Sequence, residues 1–166
     1  MRASQTFRVL LVMLAACVTP AAAQGEAPPI KLDRPAMEKY IAVITLLSAR
    51  KAEAAAADTE EKSKALMADI CARAGFSDAD TCGLTIGYVG TLFSGFDTRQ
   101  RAFIHPLDAA RRRIEAIEAN TAMPPQAKAA QLAQNREFLS MFKLNVPADD
   151  IALMNAYRDR LLQMGR

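Results

Sequence analysis

Apolar residues recur in this chain every three or four positions, in stretches punctuated by proline, glycine and capping residues. That period belongs to amphipathic helices rather than strands. Met37, Tyr40, Ile41, Ile44 and Leu47 share the apolar face of a first predicted helix. Asp33 stands before Arg34 and Pro35, the order of an N-cap and a first-turn proline. The alanine run 54–57 extends this helix toward Asp58. Asp58-Thr59-Glu60-Glu61 reads as a capping box opening a second helix. Leu66, Met67, Ile70 and Ala74 form its face, and Gly75 is its natural stop. Ser77-Asp78-Ala79-Asp80 then starts a third.

The third segment differs from the others, because no charge falls in 81–96. Gly83, Gly87 and Gly90 lie on one helical face. An interior glycine costs about 1 kcal/mol relative to alanine, so a helix carrying three is expected to gain close backbone approach from them. Thr85, Ile86, Tyr88 and Val89 also suit a strand. A helix is expected because nothing nearby could pair a lone strand. Sixteen residues are short for a membrane span, which needs about 20.

Ser94-Gly95-Phe96-Asp97 ends that helix, and 98–105 is the one long internal loop expected. Pro106 opens a fourth helix with Leu107, Ala110, Ile114 and Ile117 on its face and Asn120-Thr121 at its end. Pro124-Pro125 opens a fifth that reaches Phe138, Leu139 and Phe142. After Asn145-Val146-Pro147, Asp149 and Asp150 stand where first-turn acids complement the helix dipole. Ile151, Met154, Tyr157, Leu161 and Met164 mark the last apolar face. The expected fold class is all-α, a compact bundle of about six helices in two three-helix halves divided near residue 100.

The start of the chain speaks to location. Arg2 and Arg8 precede an apolar run at 9–18, and Ala21-Ala22-Ala23 before Gln24 reads as a cleavage site. The run is too short to cross a bilayer. A signal peptide over 1–23 is expected, then a flexible segment over 24–32 and a single helical domain over 33–166. A second reading stays open: Leu14-Ala15-Ala16-Cys17 fits a lipoprotein box, with Cys17 lipidated and the domain anchored to a membrane. Either way the domain is periplasmic, secreted or held on the envelope surface, without a transmembrane span of its own.

Of 166 residues, removal of 23 leaves 143, enough to bury a core without needing disulfides. The 21 Lys and Arg outnumber the 18 Asp and Glu, but two arginines leave with the signal, so 19 face 18 and the net charge is +1. The basic balance of the whole chain therefore does not point to nucleic acid, whose binders concentrate their charge.

Cys71 and Cys82 remain after the signal. Each lies five to six residues from the centre of the Phe76-Ser77 turn, so an antiparallel helical hairpin brings them to the same height. An even count in an exported protein implies pairing, and a loop of this length gains about 3 kcal/mol from closure. A redox pair would favour Cys-x-x-Cys spacing, and zinc would need more than the single histidine present.

That histidine, His105, stands just before Pro106, as a surface or N-cap residue or else as a general base. No nucleophile elbow, phosphate loop or metalloprotease motif occurs, so no catalytic, metal or cofactor residue is assigned. Arg99, Arg101, Arg111, Arg112 and Arg113 make the loop and the helix after it basic. Asp108 and Glu115 stand at supporting distances from Arg111 and Arg112, whereas Arg113 has no acid at either spacing.

The run Tyr88-Val89-Gly90-Thr91-Leu92-Phe93-Ser94-Gly95-Phe96-Asp97, with Asn145-Val146-Pro147 and the segment from Asp150 to Tyr157-Arg158-Asp159, resembles small exported helical proteins of Gram-negative bacteria with no assigned activity. The resemblance implies a helical envelope protein and brings no catalytic residues. The Leu-Thr-x-x-Gln motif of Spy-like chaperones does not occur. Export, near-neutral charge and amphipathic helices point to a non-catalytic module that binds a protein or peptide, with Arg99, Arg101 and His105 as contact residues, since long loops in compact domains are often functional. The alternative is a small envelope hydrolase or lyase with His105 as base and Asp97 or Asp108 beside it.

Overall fold

The computed structural model describes residues 30–141 and 145–164. The expected signal at 1–23, Cys17 within it and residues 24–29 of the flexible segment lie outside them. Eight helices and one two-stranded hairpin are formed among the described residues, so the all-α class is observed. They fall into two compact units, one made of Ile30–Tyr88 with the stretch beginning at Tyr157, the other of Val89–Ala156.

In the first unit, α1 (Arg34–Ala49) opens on Asp33, whose carboxylate accepts from the Ala36 N–H at 2.9 Å. Met37, Tyr40, Val43 and Leu47 are its buried stripe; Ile41 and Ile44 sit half-buried at the stripe's edge. Leu32, just before α1, is also buried, which ties down the end of the segment expected to be flexible. The helix does not run on to Asp58 as expected. It breaks at Arg50, and α2 (Lys51–Ala56) buries nothing. The buried stripe stops at Leu47, and of α2 only Ala54 packs, half-buried, against the core, so little packing holds the chain straight. Arg50 instead donates to Glu53 at 2.6 and 2.7 Å and pairs with Asp69 of α3 (Glu60–Arg73).

The cap of α3 is Thr59 rather than Asp58. Its hydroxyl accepts from the Lys62 N–H at 3.2 Å, while Asp58 pairs with the Lys62 ammonium at 2.7 Å. Gly75, at φ 86°, closes α3 as expected. The Phe76 N–H reaches the Cys71 carbonyl and the Gly75 N–H the Ala72 carbonyl, the two bonds of a Schellman turn. The chain returns in α4 (Ala79–Phe93). Its cap is Asp78, one residue after the expected Ser77; Asp78 accepts from the Thr81 N–H at 2.7 Å. Cys71 and Cys82 are bonded, with Cα atoms 5.9 Å apart, and both are buried in the cluster of Val43, Leu47, Leu66, Ile70 and Phe76. The charge-free segment is thus a helix. The expected close approach fails at two of its glycines, since a Cβ on Gly83 or Gly90 would meet nothing within 4 Å. The same unit takes α8 (Arg158–Met164), where Leu161 is buried and Arg160 forks onto Glu38 of α1 at 2.6 and 2.9 Å.

The second unit begins inside α4, at Tyr88/Val89 rather than near residue 100. Val89 and Leu92 are buried there. The stretch expected as a loop at 98–105 is the turn of a hairpin over 98–101 and then its second strand: β1 (Phe96–Asp97) and β2 (Ala102–Phe103) run antiparallel, with Phe96 opposite Phe103 and Asp97 opposite Ala102. The unit is completed by α5 (Pro106–Ala119), α6 (Pro125–Met141) and α7 (Ala148–Ala156). The single last helix expected is split at Tyr157: Met154 is buried in this unit, while Tyr157 donates to Glu38 of the first at 2.9 Å. Phe142, the expected end of the fifth apolar face, lies outside the described residues.

Candidate functional site

The hairpin of the second unit carries Arg99 and Arg101, and its order comes from three side chains that do not belong to its exposed tip. Asp97 is the first. It is only 8% exposed, and its Oδ1 accepts from the Arg99 and Gln100 N–H groups at 2.8 and 3.2 Å, closing an Asx turn. Its Oδ2 accepts from Arg112 Nη1 at 2.7 Å. The Arg112 guanidinium, and then the Gln100 N–H, hold the Asp97 carboxyl below its ordinary range. Arg101 completes the turn at φ 52°, in the left-handed region that side chains other than glycine and asparagine rarely enter.

Asn155 of α7 is the second. Its Oδ1 accepts from the Phe103 N–H at 2.8 Å and its Nδ2 donates to the Phe103 carbonyl at 2.8 Å. The side-chain amide thus behaves as a further strand along the outer edge of β2. The remaining Nδ2 hydrogen goes to the Ile151 carbonyl at 3.1 Å. The Phe103 ring, 1% exposed, lies between Phe93 and Phe96 with centroids 5.3 and 5.2 Å away.

Arg113 is the third. It is half-buried and donates to the Ser94 carbonyl at 2.8 Å and to Asn135 of α6 at 3.0 Å. Burial lowers its pKa, yet an arginine stays charged at any ordinary pH. The arginine with no partner inside its own helix therefore anchors the base of the hairpin. Arg111 pairs with Asp108 at 2.6 Å, as spacing predicts, but Arg112 turns to Asp97 instead of serving its own helix.

Gly95 lies where α4 gives way to β1. Its carbonyl accepts from the Ile104 N–H at 2.9 Å. A Cβ there would stand 2.2 Å from the Ile104 carbonyl oxygen, so the glycine that close approach requires is Gly95, not Gly83 or Gly90.

His105 caps α5: its Nδ1 accepts from the Leu107 N–H at 3.3 Å. The carboxylates expected beside it are engaged elsewhere, Asp97 by Arg112 and Asp108 by Arg111. The structure therefore brings Arg99 and Arg101 to one exposed turn and assigns His105 to the foot of the following helix. Among the described residues no group of three or more His, Cys, Asp or Glu side chains could hold a metal ion, and every buried side-chain nitrogen and oxygen has a hydrogen-bond partner.

Asp97, Asn155, Arg113 and Gly95 are the supporting residues that periodicity missed. Asp97 carried a readable signal, since aspartate leading a polar run is a turn former as much as a helix end. Asn155 carried none, because its partner is 52 residues away. Comparison with protein-family models, with curated proteins and with solved structures finds no match.

Proposed function

We propose that this chain is an exported, non-catalytic binding module of the bacterial envelope that presents Arg99 and Arg101 to an acidic stretch of a protein or peptide partner. The observation that carries the reading is the fixed conformation of the hairpin tip. Asp97, held by Arg112, orders the backbone of Arg99 and Gln100, and Asn155 holds the strand that follows. A turn ordered in advance does not spend binding energy on its own ordering. Arginine suits the role because its planar fork matches a carboxylate with two parallel hydrogen bonds. Thr98, Arg99, Gln100 and Arg101 are all exposed. Export rests on the leader sequence and agrees with a disulfide in the fold and with the absence, among the described residues, of any helix long and apolar enough to cross a membrane.

The test is crosslinking and pull-down from the native envelope, comparing the wild type with Arg99→Glu/Arg101→Glu. A reproducible partner that the variant loses, and that the wild type loses as salt is raised, supports the reading. A partner retained by the variant overturns the hairpin as the contact face. Turnover of an envelope substrate that His105→Ala abolishes overturns the non-catalytic reading.

A further inference from the structure

The first unit holds a cleft of about 380 Å3 where the start of α1 meets the turn leading into α4. Pro35 and Phe76 supply apolar wall, Lys31 and Lys39 supply charge, and Ser77 and Thr81 supply hydroxyls. Arg50, Arg73, Arg111, Arg112, Arg136 and Arg160 all pair with carboxylates. Among the described residues neither Lys31 nor Lys39 forms an ion pair; the Lys39 ammonium stands 5.4 Å from the centroid of the Phe76 ring. The one acid lining the cleft, Asp33, keeps its charge but faces the α1 N-terminus that it caps, whose dipole offsets it in part. Asp78 nearby is saturated, accepting from the Thr81 N–H and from the hydroxyls of Ser77 and Thr81 at 2.7 and 2.9 Å. With their hydrogens spent on Asp78, those hydroxyls turn only lone pairs to an incoming group, and the lysines are the donors left for an anion.

We propose that this cleft binds a small organic anion with a flat apolar body, its charged head paired by Lys31 and Lys39 and its body laid on Pro35 and Phe76. The volume lies at the small end of ligand pockets, roughly 300–1,000 Å3, which suits a molecule of two or three rings rather than a polymer. The lysine stems add apolar surface under the head while the ammonium groups stay in water. The site uses only residues of the first unit and is independent of the hairpin reading.

The probe is anilinonaphthalene sulfonate, compared with phenylnaphthylamine, which keeps the same rings without the charge. Each is titrated into the purified oxidised chain and followed by fluorescence. Saturable binding of one sulfonate per chain is expected, with the uncharged analogue weaker by about tenfold. Lys31→Gln/Lys39→Gln should weaken the sulfonate by about tenfold as well, the scale of two partly exposed charge contacts, and leave the uncharged probe unchanged. Lys51→Gln, on α2, should change neither. Both cleft lysines reach solvent, so an unaltered helical circular dichroism spectrum and melting temperature will show that the double variant is folded. Equal affinity for the two probes, undiminished sulfonate binding by the double lysine variant, or no saturable binding up to millimolar probe would each overturn the proposal.

Discussion

The α3–α4 hairpin of the first unit and the β1–β2 hairpin of the second reverse the chain by different means. The helical one is closed by apolar packing and a covalent bond. Ile70, Cys71, Phe76 and Cys82 are buried together, Gly75 makes the turn, and the disulfide joins the arms. The strand hairpin has two residues in each arm, too few to hold by their own ladder. It is held by side chains that bond to backbone, from Asp97 within it and from Arg113 and Asn155 outside it. A hairpin of the first kind tolerates changes at its surface. One of the second kind depends on individual hydrogen bonds, and in exchange it can present a short, fully ordered tip.

Changes to each hairpin can test that contrast. Replacing both Cys71 and Cys82 with alanine should cost about 3 kcal/mol, the closure entropy of so short a loop, read as a fall in the denaturation midpoint. A loss below about 1 kcal/mol would mean that packing alone sets the helical hairpin. Gly95→Ala should cost somewhat less, about 2–3 kcal/mol, because a Cβ placed 2.2 Å from the Ile104 carbonyl forces the backbone apart. Amide exchange at Ile104 should quicken with it, and unchanged exchange there would show that the chain accommodates the methyl group.

Asn155→Ala should cost about 2 kcal/mol, since it strips partners from the N–H and carbonyl of a buried residue. It should also free the tip, seen as narrowed dispersion of the Arg99 and Gln100 amide resonances. Gly83→Ala should move stability the other way, by about 0.5–1 kcal/mol upward, because its Cβ meets nothing and alanine favours the helix. A loss in solution would show that something packs on this face.

The smallest effect is local and depends on pH. The Asp97 carboxyl is held below its ordinary range in the folded state, first by Arg112. Its contribution is therefore present above the ordinary carboxylate pKa and is lost as pH falls through the lowered one. Arg99 amide exchange, normalised for its intrinsic pH dependence, should lose protection over that acid range and not at neutral pH. Arg112→Gln should move the loss to higher pH. Protection that persists to strong acid would show that Asp97 is not what orders the tip.

The first unit was the more legible in sequence because its determinants are close together along the chain. Asp33 before Pro35, Gly75 after α3 and two cysteines equidistant from one turn each state their structural role within a few residues. What went astray there included local choice between neighbours, Thr59 over Asp58 and Asp78 over Ser77, where adjacent residues have nearly equal capping power, together with the break at Arg50 and the open space at Gly83. In the second unit Pro106, Asn120 and Pro125 bounded the helices correctly, while β1 was read as the end of a helix and β2 as loop. Two-residue strands have no period to detect, and the ring of Phe103 becomes core only when Phe93 and Phe96 close on it.

Helical periodicity, caps and cysteine spacing by themselves determined the all-α class, the places where most helices begin and the bond between Cys71 and Cys82. These follow from interactions among residues one or two turns apart, whose energies barely depend on the rest of the fold. Tertiary structure alone decided that Arg112 serves Asp97, that Arg113 reaches Ser94 and Asn135, that Asn155 finishes β2, and that Gly95 rather than Gly83 bears the close contact. Each of these joins groups that periodicity assigns to separate elements. A polar side chain has many partners of similar energy available locally, and only the packing of distant segments removes all but one from reach.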